Sequence, residues 1–542
     1  MNMLDLKQYY TPQKLDNGMI RVHSKPHVTD IAHLESACVA PATATYYFVT
    51  RYLGMEIDGM KVLEELAKLQ VTDPESKHYG CMKWYRESKR IQDTNSAFFT
   101  MRNLCYALKF CPENIPEDES TAIKSILRHG VHWFKHECKK GGFFYPNKIM
   151  SDGALLIMLS DVLGDSSFID DALDFWTRWM DYTDEYGWGW GENTSKNYTA
   201  VMRDALIVAL MSMDKTSDIY KRLLGFYKKL LDYCAYHGEY EFTPSIRTYN
   251  FEGMAKYLSN PADINCKYEK ITNGTISEII LLQHAPDVEI TPDTANFHSE
   301  RIFGNSYAST WKGENIRLGT VSKFPVMTNC YGQNGWGLGW QSMPVSVVAL
   351  KHETAFMRFV TVSDGELRSH ISSGWKDKNL FPDANVPDIY TYSAQKDNTA
   401  VVVRMVEHMA NKTSFFSDEW YFLHFDGEIK NIDDWYVFDY KDSVLCVKSF
   451  DGNLRLERDG EKVRLMNVLA ECPERLVVCH RYISSWAIAV FDGNENIEEK
   501  LNGLDAKKEN VYDPRYSRLN PPSILTCGEA KLEFDPDKTD LI

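Results

Sequence analysis

The hydrophobic pattern of this 542-residue chain changes its period once, close to residue 286. Before that point, apolar residues recur at helical spacing in segments of about ten to twenty residues, which is typical of amphipathic helices. After it, short β-branched and aromatic runs alternate with polar positions, and turn pairs such as Asp364-Gly365 separate them, which is typical of antiparallel strands. The chain also exceeds the ~250–300 residues that one core supports. The sequence therefore predicts two domains of different class.

Short joins containing Gly or Pro connect the helical segments, so consecutive helices are expected to form hairpins. No fixed sequence period is present, which argues against a solenoid of standard repeats. Helical hairpins with two apolar faces bury both when they close into a ring, an (α/α) toroid, and an open superhelix is the alternative. We expect an α+β multidomain protein with a toroid over residues 1–290 and an antiparallel β-sandwich with a C-terminal tail over 291–542. Helices are predicted over 31–53, 58–69, 94–111, 119–138, 151–163, 168–182, 197–213, 217–236, 248–258 and 275–283. Strands are predicted over 301–311, 316–322, 345–350, 356–362, 400–407, 435–440, 443–449, 454–458, 463–469, 475–478 and 486–491.

The net charge of −16 argues against a general binder of nucleic acid or of anionic membranes. No run approaches ~18 consecutive apolar residues, so no membrane span is predicted. The first residues show no signal-peptide pattern. The 12 cysteines are scattered without a CxxC pair, which favours free thiols in a reducing compartment. We therefore expect a cytoplasmic protein.

An unusual loop precedes one of the predicted helices. It contains Trp188 and Trp190, separated by single glycines, followed by Glu192 and Asn193. Ser195 is a good N-cap for the helix that follows, because its hydroxyl accepts a free backbone N–H of the first turn. Loops on rigid scaffolds often hold ligands, and flat indole rings suit the faces of sugars. The alternative is a loop whose tryptophans only cover the core.

A second loop before a predicted helix carries Glu241, Arg247 and Tyr249. In a toroid of hairpins, the starts of successive inner helices converge on one rim. We therefore expect these residues to face the first loop and Tyr198 across a cleft. The alternative is that Tyr249 is a core aromatic residue whose hydroxyl is bonded locally.

Three further positions are candidates for the same cleft. Asn95 follows Asp93 at the start of a predicted helix, where a plain N-cap is the simpler explanation. His298 and Arg301 lie where the strand pattern begins, and imidazole is well suited to proton transfer near neutral pH. Trp336 belongs to a second loop rich in Gly and Trp, which could cover the cleft or turn a corner of a sheet.

Motifs of other functional classes are weak or absent. His132 and His136 have the spacing of two metal ligands on one helix face, but the glutamate of an HExxH motif is missing. The sequence contains no GxGxxG, P-loop or GxSxG motif, which removes the commonest nucleotide-binding and serine-hydrolase interpretations. No cofactor is expected, and a structural divalent cation stays open.

The succession of helices and strands resembles the polysaccharide lyases built from an (α/α) toroid and a β-sandwich, the heparinase II/III-like, chondroitin/hyaluronate and alginate lyase group. In sequence, the resemblance is carried by the Glu192-Asn193 loop, by Pro244-Ser245 with Thr248-Tyr249, and by His298 with Arg301.

What the resemblance implies is cleavage of a uronic-acid-containing oligo- or polysaccharide by β-elimination. Asn193 would neutralise the uronate carboxylate, a Tyr or His would abstract the C5 proton, and a Tyr would protonate the leaving oxygen. The implied catalytic residues are Asn193, Tyr198, Tyr249 and His298, and the implied substrate-binding residues are Trp188, Trp190, Glu192, Glu241, Arg247, Arg301, Asn95 and Trp336.

Two other functions stay open. An inverting glycoside hydrolase would use two carboxylates about 6.5–9.5 Å apart, and the candidates are Asp93, Asp184, Glu192 and Glu241. A non-catalytic carbohydrate-binding protein would need only the aromatic cleft. Epimerases and dehydratases share the proton-abstraction step. The expected partner is an oligosaccharide or polysaccharide, with no nucleic acid or membrane, and a homo-oligomer stays open.

Overall fold

The structure is a computed structural model that describes residues 6–8, 10–26, 30–31, 33–248, 252–256, 260–264, 270–327, 342–363, 365–369, 388–407, 411–452, 454–478, 481–511 and 520–538. Contacts within the chain group it into two compact units. The first unit comprises Met1–Asp184, Ala200–Leu231 and Asp263–Ile290, and the second comprises Glu185–Thr199, Asp232–Ala262 and Thr291–Ile542. Two segments from the part of the chain predicted to be helical thus group with the strand-rich part.

The helical half of the chain follows the predicted order. Its helices are α1 (Ala40–Tyr52), α2 (Gly59–Ala67), α3 (Asn95–Phe110), α4 (Glu117–Lys140), α5 (Pro146–Leu163), α6 (Ile169–Tyr186), α7 (Lys196–Met211), α8 (Asp218–His237) and α9 (Asn273–Leu282), and a short α10 (Ile497–Asn502) lies in the strand-rich half. None of the described helices combines the length and the apolar character needed to cross a membrane.

The first unit is an (α/α) toroid. Helix α1 packs on α3, α3 packs on α5, and α9 returns to pack on α1, while α2 packs on α4 and α4 packs on α5. Polar contacts join the same layer: Ser277 on α9 donates to Asn103 on α3 at 3.0 Å, and Arg203 on α7 pairs with Glu278 on α9 at 2.6 Å. Helix α5 is buried almost all round, as expected for an inner helix, because a helix that is apolar on every side must be surrounded by protein.

The second unit is built on two large antiparallel sheets, and the strands of both units are numbered together in chain order. The strands are β1 (Leu15–Asp16), β2 (Met19–Val22), β3 (Ala37–Cys38), β4 (Phe297–Phe303), β5 (Ser306–Lys312), β6 (Ile316–Val321), β7 (Lys323–Phe324), β8 (Val345–Ala349), β9 (Thr354–Ser363), β10 (Glu366–Ser369), β11 (Asp388–Lys396), β12 (Thr399–Glu407), β13 (Asn411–Phe422), β14 (Glu428–Ile432), β15 (Trp435–Asp439), β16 (Ser443–Ser449), β17 (Leu454–Asp459), β18 (Lys462–Val478), β19 (Tyr482–Asp492), β20 (Lys507–Asn510), β21 (Ser523–Cys527) and β22 (Ala530–Phe534). A nine-stranded sheet has the order β17-β18-β13-β9-β8-β6-β5-β4, with β10 paired to β9, and a seven-stranded sheet has the order β14-β15-β16-β19-β12-β11-β7. Strands β1–β3 belong to the first unit, and β20–β22 form a small third sheet of the second unit.

Apolar side chains from both large sheets form one core between them. Leu318, Met357 and Trp420 from the nine-stranded sheet pack with Val402 and Trp486 from the seven-stranded sheet. The opposite face of the seven-stranded sheet is covered by α10 and by the hairpin of β21 and β22. The predicted antiparallel β-sandwich is confirmed, and its alternating strand pattern arises because each strand buries one face in this core.

The helix predicted over 31–53 begins only at Ala40, after β3, and the strands predicted over 463–469 and 475–478 are the single strand β18. Two further predicted elements are interrupted by a glycine. Residues 252–256 do not belong to the helix predicted over 248–258: Gly253 has a positive φ of 70°, and Met254 forms an isolated β-bridge with Glu353. The strand predicted over 301–311 is two strands, because Gly304 turns the chain between β4 and β5 with a φ of 53°. In both places a left-handed glycine interrupts an apolar pattern that is otherwise regular.

Gly319 on β6 lets the loop around Thr243 and Pro244 lie directly on the nine-stranded sheet. A Cβ at this position would overlap the backbone of both loop residues. We predict that Gly319→Ala lowers the free energy of unfolding by about 1–3 kcal/mol, the usual cost of overpacking, measured by urea denaturation. The control is Gly503→Ala, where the added Cβ meets its neighbours at ordinary contact distances of 3.4 and 3.6 Å. Equal stability of the two variants would contradict the tight seating of the loop.

Candidate active site formed by two loops

The loop that carries the two tryptophans is fixed along strand β4. Gly187 has a φ of 97°, and a Cβ there would overlap the carbonyl of Ile302, so only glycine permits this approach. The backbone N–H of Trp188 donates to the Ile302 carbonyl at 2.8 Å, and that of Gly304 donates to the Tyr186 carbonyl at 2.7 Å. The start of the loop therefore behaves as an extra strand of the sandwich, which gives the residues after it a rigid base.

The second loop is hydrogen-bonded directly to the first. The Ile246 N–H donates to the Thr194 carbonyl at 3.3 Å, and the Ser195 hydroxyl donates to the Arg247 carbonyl at 3.0 Å. The same hydroxyl accepts the Tyr198 N–H at 3.3 Å, which is the predicted N-cap of α7. The two loops meet without a gap at these positions, and Ser195 both starts the helix and ties the loops together.

Arg247 is the centre of this contact. Its φ of 52° is in the left-handed region, which is uncommon for a residue other than glycine, and its N–H donates to the Ser342 hydroxyl at 3.0 Å. Its guanidinium pairs through Nη1 with Glu192 Oε1 and donates through Nη2 to the Tyr198 hydroxyl at 2.6 Å. The guanidinium carbon also lies 3.9 Å from the ring centre of Tyr198 and 5.4 Å from that of Trp190. Four of the residues predicted for one site are thus in direct contact.

Asn193 lies in the same short turn as Glu192 and is only 1% exposed. Among the residues that the structure describes, neither its Nδ2 nor its Oδ1 has a hydrogen-bond partner. Leaving a buried polar group unpaired costs about 1–3 kcal/mol, and nearly all such groups in folded proteins are paired. A buried amide with both ends unpaired, beside an ion pair, keeps its full hydrogen-bonding capacity for a group that enters the site.

Glu241 lies in the second loop, and Lys196 is the first residue of α7, directly after the first loop. The Glu241 carboxylate accepts the Phe242 N–H at 3.0 Å and the Thr248 hydroxyl at 3.2 Å, and it is fully buried. Burial lowers the pKa of Lys196 to about 7, although the Glu241 charge acts in the opposite direction. An amine with this pKa can both accept and donate a proton near neutral pH.

His298 on β4 is held between two acidic residues. Its Nδ1 lies 2.8 Å from Asp293 Oδ2 and its Nε2 lies 3.3 Å from Glu300 Oε2. The hydrogen bond to Glu300, assisted by Asp293 and opposed by burial, raises the pKa of His298. Its ring packs near those of Tyr233 and Tyr236, with centroids 5.8 and 5.1 Å apart. To act as the predicted base, this imidazole must be neutral, but the carboxylates that face both of its nitrogens favour its protonated form.

Other predicted binding residues are packed rather than open. Trp188 and Trp190 are 3% and 2% exposed, so their rings lie against protein. Arg301 donates through Nε to the Gly304 carbonyl at 2.9 Å and through Nη2 to the Glu185 carbonyl. These contacts hold the first loop in place, and the substrate-binding roles of the three residues stay predictions.

Some candidates lie elsewhere. Asn95 begins α3 in the first unit, after the N-cap Thr94, and its N–H donates to Asp93 Oδ1 at 2.9 Å. Asp184 pairs with Arg222 at 2.7 Å. Tyr249 and Trp336 lie outside the described residues. In the described part of the chain no group of three or more His, Cys, Asp or Glu side chains is arranged to hold a metal ion, and His132 packs on Tyr79 with ring centroids 4.7 Å apart.

Comparisons with known proteins give matches in structure only. No protein-family model matches the chain, and no curated protein matches its sequence. A crystal structure of heparinase III has 8% identity and a TM-score of 0.45, a second heparinase III with methylated lysines has 10% and 0.35, and the heparan sulfate lyase HepC from Pedobacter heparinus has 11% and 0.23. Each alignment covers 91% of this chain, and 82%, 82% and 94% of the respective neighbour. Because all three TM-scores are below 0.5, the function proposed below is based on the residues of this chain.

Two residues of the site had no assigned role in the sequence analysis. Ser342, which orients the backbone of Arg247, is remote in sequence and carries no motif. Lys196 does leave a signal: it is a cation in the first turn of a helix, where the macrodipole disfavours positive charge. A lysine between an N-cap and an apolar helix is therefore a candidate for a lowered pKa.

Removing one partner of the Arg247–Glu192 pair should destabilise the protein strongly, because an uncompensated charge would stay buried. We predict that Glu192→Gln lowers the free energy of unfolding by about 3–5 kcal/mol, measured by chemical denaturation. Glu471→Gln is the matched control, since it breaks an exposed Arg455–Glu471 pair of 2.7 Å whose attraction is screened by water. If both variants lost the same small amount, the site would not be an enclosed ion pair.

His298 should give a pH-dependent contribution to stability. Since its folded-state pKa is raised above the ordinary value of about 6.5, the stabilisation is fully present at pH below that value and is lost as pH rises through the folded-state pKa. We expect His298→Gln to be less stable than the wild type at acidic to neutral pH, and the difference to shrink in alkaline solution. NMR titration of the His298 ring protons gives the pKa directly, and a value at or below the ordinary one would refute this prediction.

Proposed function

We propose that this protein is a polysaccharide lyase that cleaves a uronic-acid-containing oligosaccharide or polysaccharide by β-elimination. The observation that carries the proposal is the buried, unpaired amide of Asn193 beside the Arg247–Glu192 pair. Elimination next to a carboxylate builds up negative charge on that carboxylate, and preorganised hydrogen-bond donors stabilise such charge most effectively. An amide supplies donors without adding a charge, which suits a site where one carboxylate is already paired.

The reaction needs two proton movements and no change of oxidation state in the protein. A base takes the C5 proton, the electron pair of that C–H bond forms the C4=C5 double bond, and the C4–O bond breaks. The departing oxygen then receives a proton. Asn193 would bind the uronate carboxylate, so that the C5 proton becomes acidic enough to be removed by a side chain.

Several side chains are suited to move the protons. The Tyr198 hydroxyl is fixed by Arg247 at 2.6 Å, and Lys196 has a pKa of about 7. In the family that the sequence resembles, a Tyr or a His takes this role, and the resemblance assigns it in this chain to Tyr249 or His298. We assign Asn193 to carboxylate binding and the proton transfers to this group, with Tyr198 as the donor to the leaving oxygen.

The substrate would meet a strongly acidic protein. Because the net charge of −16 repels polyanions at long range, short oligosaccharides are better substrates in this proposal than long, highly charged chains. We place the reaction in the cytoplasm, on oligosaccharides taken up by the cell, and this location rests on the sequence alone.

The direct test is the ultraviolet absorbance of a new double bond conjugated to a carboxylate. The protein is incubated with a panel of uronate-containing oligosaccharides, and absorbance is expected to rise. We predict that Asn193→Ala lowers kcat by about 10²–10³-fold, the usual effect of removing one transition-state donor. Asn197→Ala, which changes an exposed asparagine in the same stretch, should retain activity.

Other outcomes would identify a different enzyme. New reducing ends without absorbance would mean hydrolysis, and would favour Glu192 and Glu241 as the paired carboxylates. Both are fully buried, and they contact adjacent residues of the second loop, Arg247 and Thr248. Full activity in Asn193→Ala would overturn the role assigned to the amide.

A further inference from the structure

A second concave site lies on the strand-rich unit. It is a cleft of about 540 Å³, within the size range of about 300–1,000 Å³ that is usual for small-molecule sites. Its walls include Tyr186, Phe303, Lys323, Tyr392, Phe534 and Lys538. None of these residues has a part in the elimination chemistry proposed above.

Aromatic rings form two walls of this cleft. Tyr186 is stacked on Phe303 with ring centroids 6.1 Å apart and an interplanar angle of 25°, and it is 40% exposed. Tyr392 lies against Phe534 with centroids 5.4 Å apart. A concave surface lined by aromatic side chains with a few polar groups is the usual form of a ligand-binding site, and flat ring faces suit the C–H faces of a pyranose.

The charged groups at the cleft balance each other. Lys323 and Lys538 supply two cations, while Glu533 and Asp535 supply two anions. Lys538 and Asp535 are 3.4 Å apart and form an ion pair. Glu533 also pairs with Lys531 at 2.8 Å, so each lining carboxylate is matched by a lysine. A lining with equal numbers of cations and anions offers hydrogen-bond donors and acceptors to neutral hydroxyl groups.

The cleft is connected to the candidate active site through the backbone. Tyr186 begins the loop that carries Asn193, and its carbonyl accepts the N–H of Gly304, another residue of the cleft. A saccharide bound at Tyr186 would therefore contact the same loop that carries the Asn193 amide.

We propose that this cleft is an accessory binding site for a neutral pyranose ring, a hexose or N-acetylhexosamine of an oligosaccharide. One ring face stacks on Tyr186, and the hydroxyls bond to the lysine and carboxylate groups of the rim. The choice of a saccharide rests on the function proposed above, whereas the preference for a neutral ring rests on the balanced charges of the cleft itself.

The test is direct binding of neutral trisaccharides, measured by saturation-transfer NMR and calorimetry on the full chain carrying Asn193→Ala, so that no turnover interferes. The probes are maltotriose, cellotriose and chitotriose at millimolar concentration. We expect at least one to bind, and Tyr186→Ala to weaken it by about tenfold, since one aromatic stacking contact is lost. The matched control is Tyr307→Ala, which removes an equally exposed tyrosine, 40%, outside the cleft.

A second variant tests binding in the cleft at a position where a folding defect is not expected. Lys538 is 81% exposed, so Lys538→Met should leave the fold intact and weaken binding severalfold by removing one donor. No binding of any probe, or the same loss in Tyr307→Ala as in Tyr186→Ala, would overturn the proposal. Tyr186-dependent binding of uronate trisaccharides alone would also overturn it. Because binding is read without catalysis, failure of the elimination assay leaves this result standing, and the reverse also holds.

Discussion

The candidate site depends on one buried guanidinium. Arg247 is placed by a strained backbone that Ser195 and Ser342 hold from either side, and its charge is matched by Glu192 in the other loop. Backbone strain of this kind persists only where the surroundings over-determine it, and it clusters at functional sites. A buried ion pair adds little net stability against an apolar substitute, so its value lies in fixing two loops in one relative position.

Strands of the sandwich fix that relative position. Strand β4 supports the first loop through Ile302 and Gly304, and Gly319 on β6 leaves room for the second loop to lie on the sheet. Both loops belong to the half of the chain that was predicted to be helical, yet the first is hydrogen-bonded to Ile302 on β4 and the second to Met343, two residues before β8. Sites whose supporting residues sit on packed strands keep their geometry better than sites on free loops.

The sequence predicted the order and class of the elements well, because helical and strand periods are local properties. It also predicted that the two polar loops lie together, although it placed a cleft between them where the structure has direct contact, and it predicted the N-cap role of Ser195. It failed where a single glycine decides the path, as at Gly253 and Gly304, since a left-handed turn leaves no mark on the apolar pattern. The sequence also did not predict which aromatic residues are buried. Trp188 and Trp190 look the same in sequence whether they face a ligand or the core, and only long-range packing places them in the interior.

The contacts of the site support the proposed elimination better than hydrolysis. An inverting hydrolase needs two carboxyl groups with room for a water molecule between them, but Glu192 is paired with a guanidinium and the Glu241 carboxylate accepts two hydrogen bonds. Elimination instead asks for neutral donors near a substrate carboxylate and for a side chain that changes its protonation near neutral pH. The unpaired amide of Asn193 provides the first, and Lys196 provides a group of the second kind.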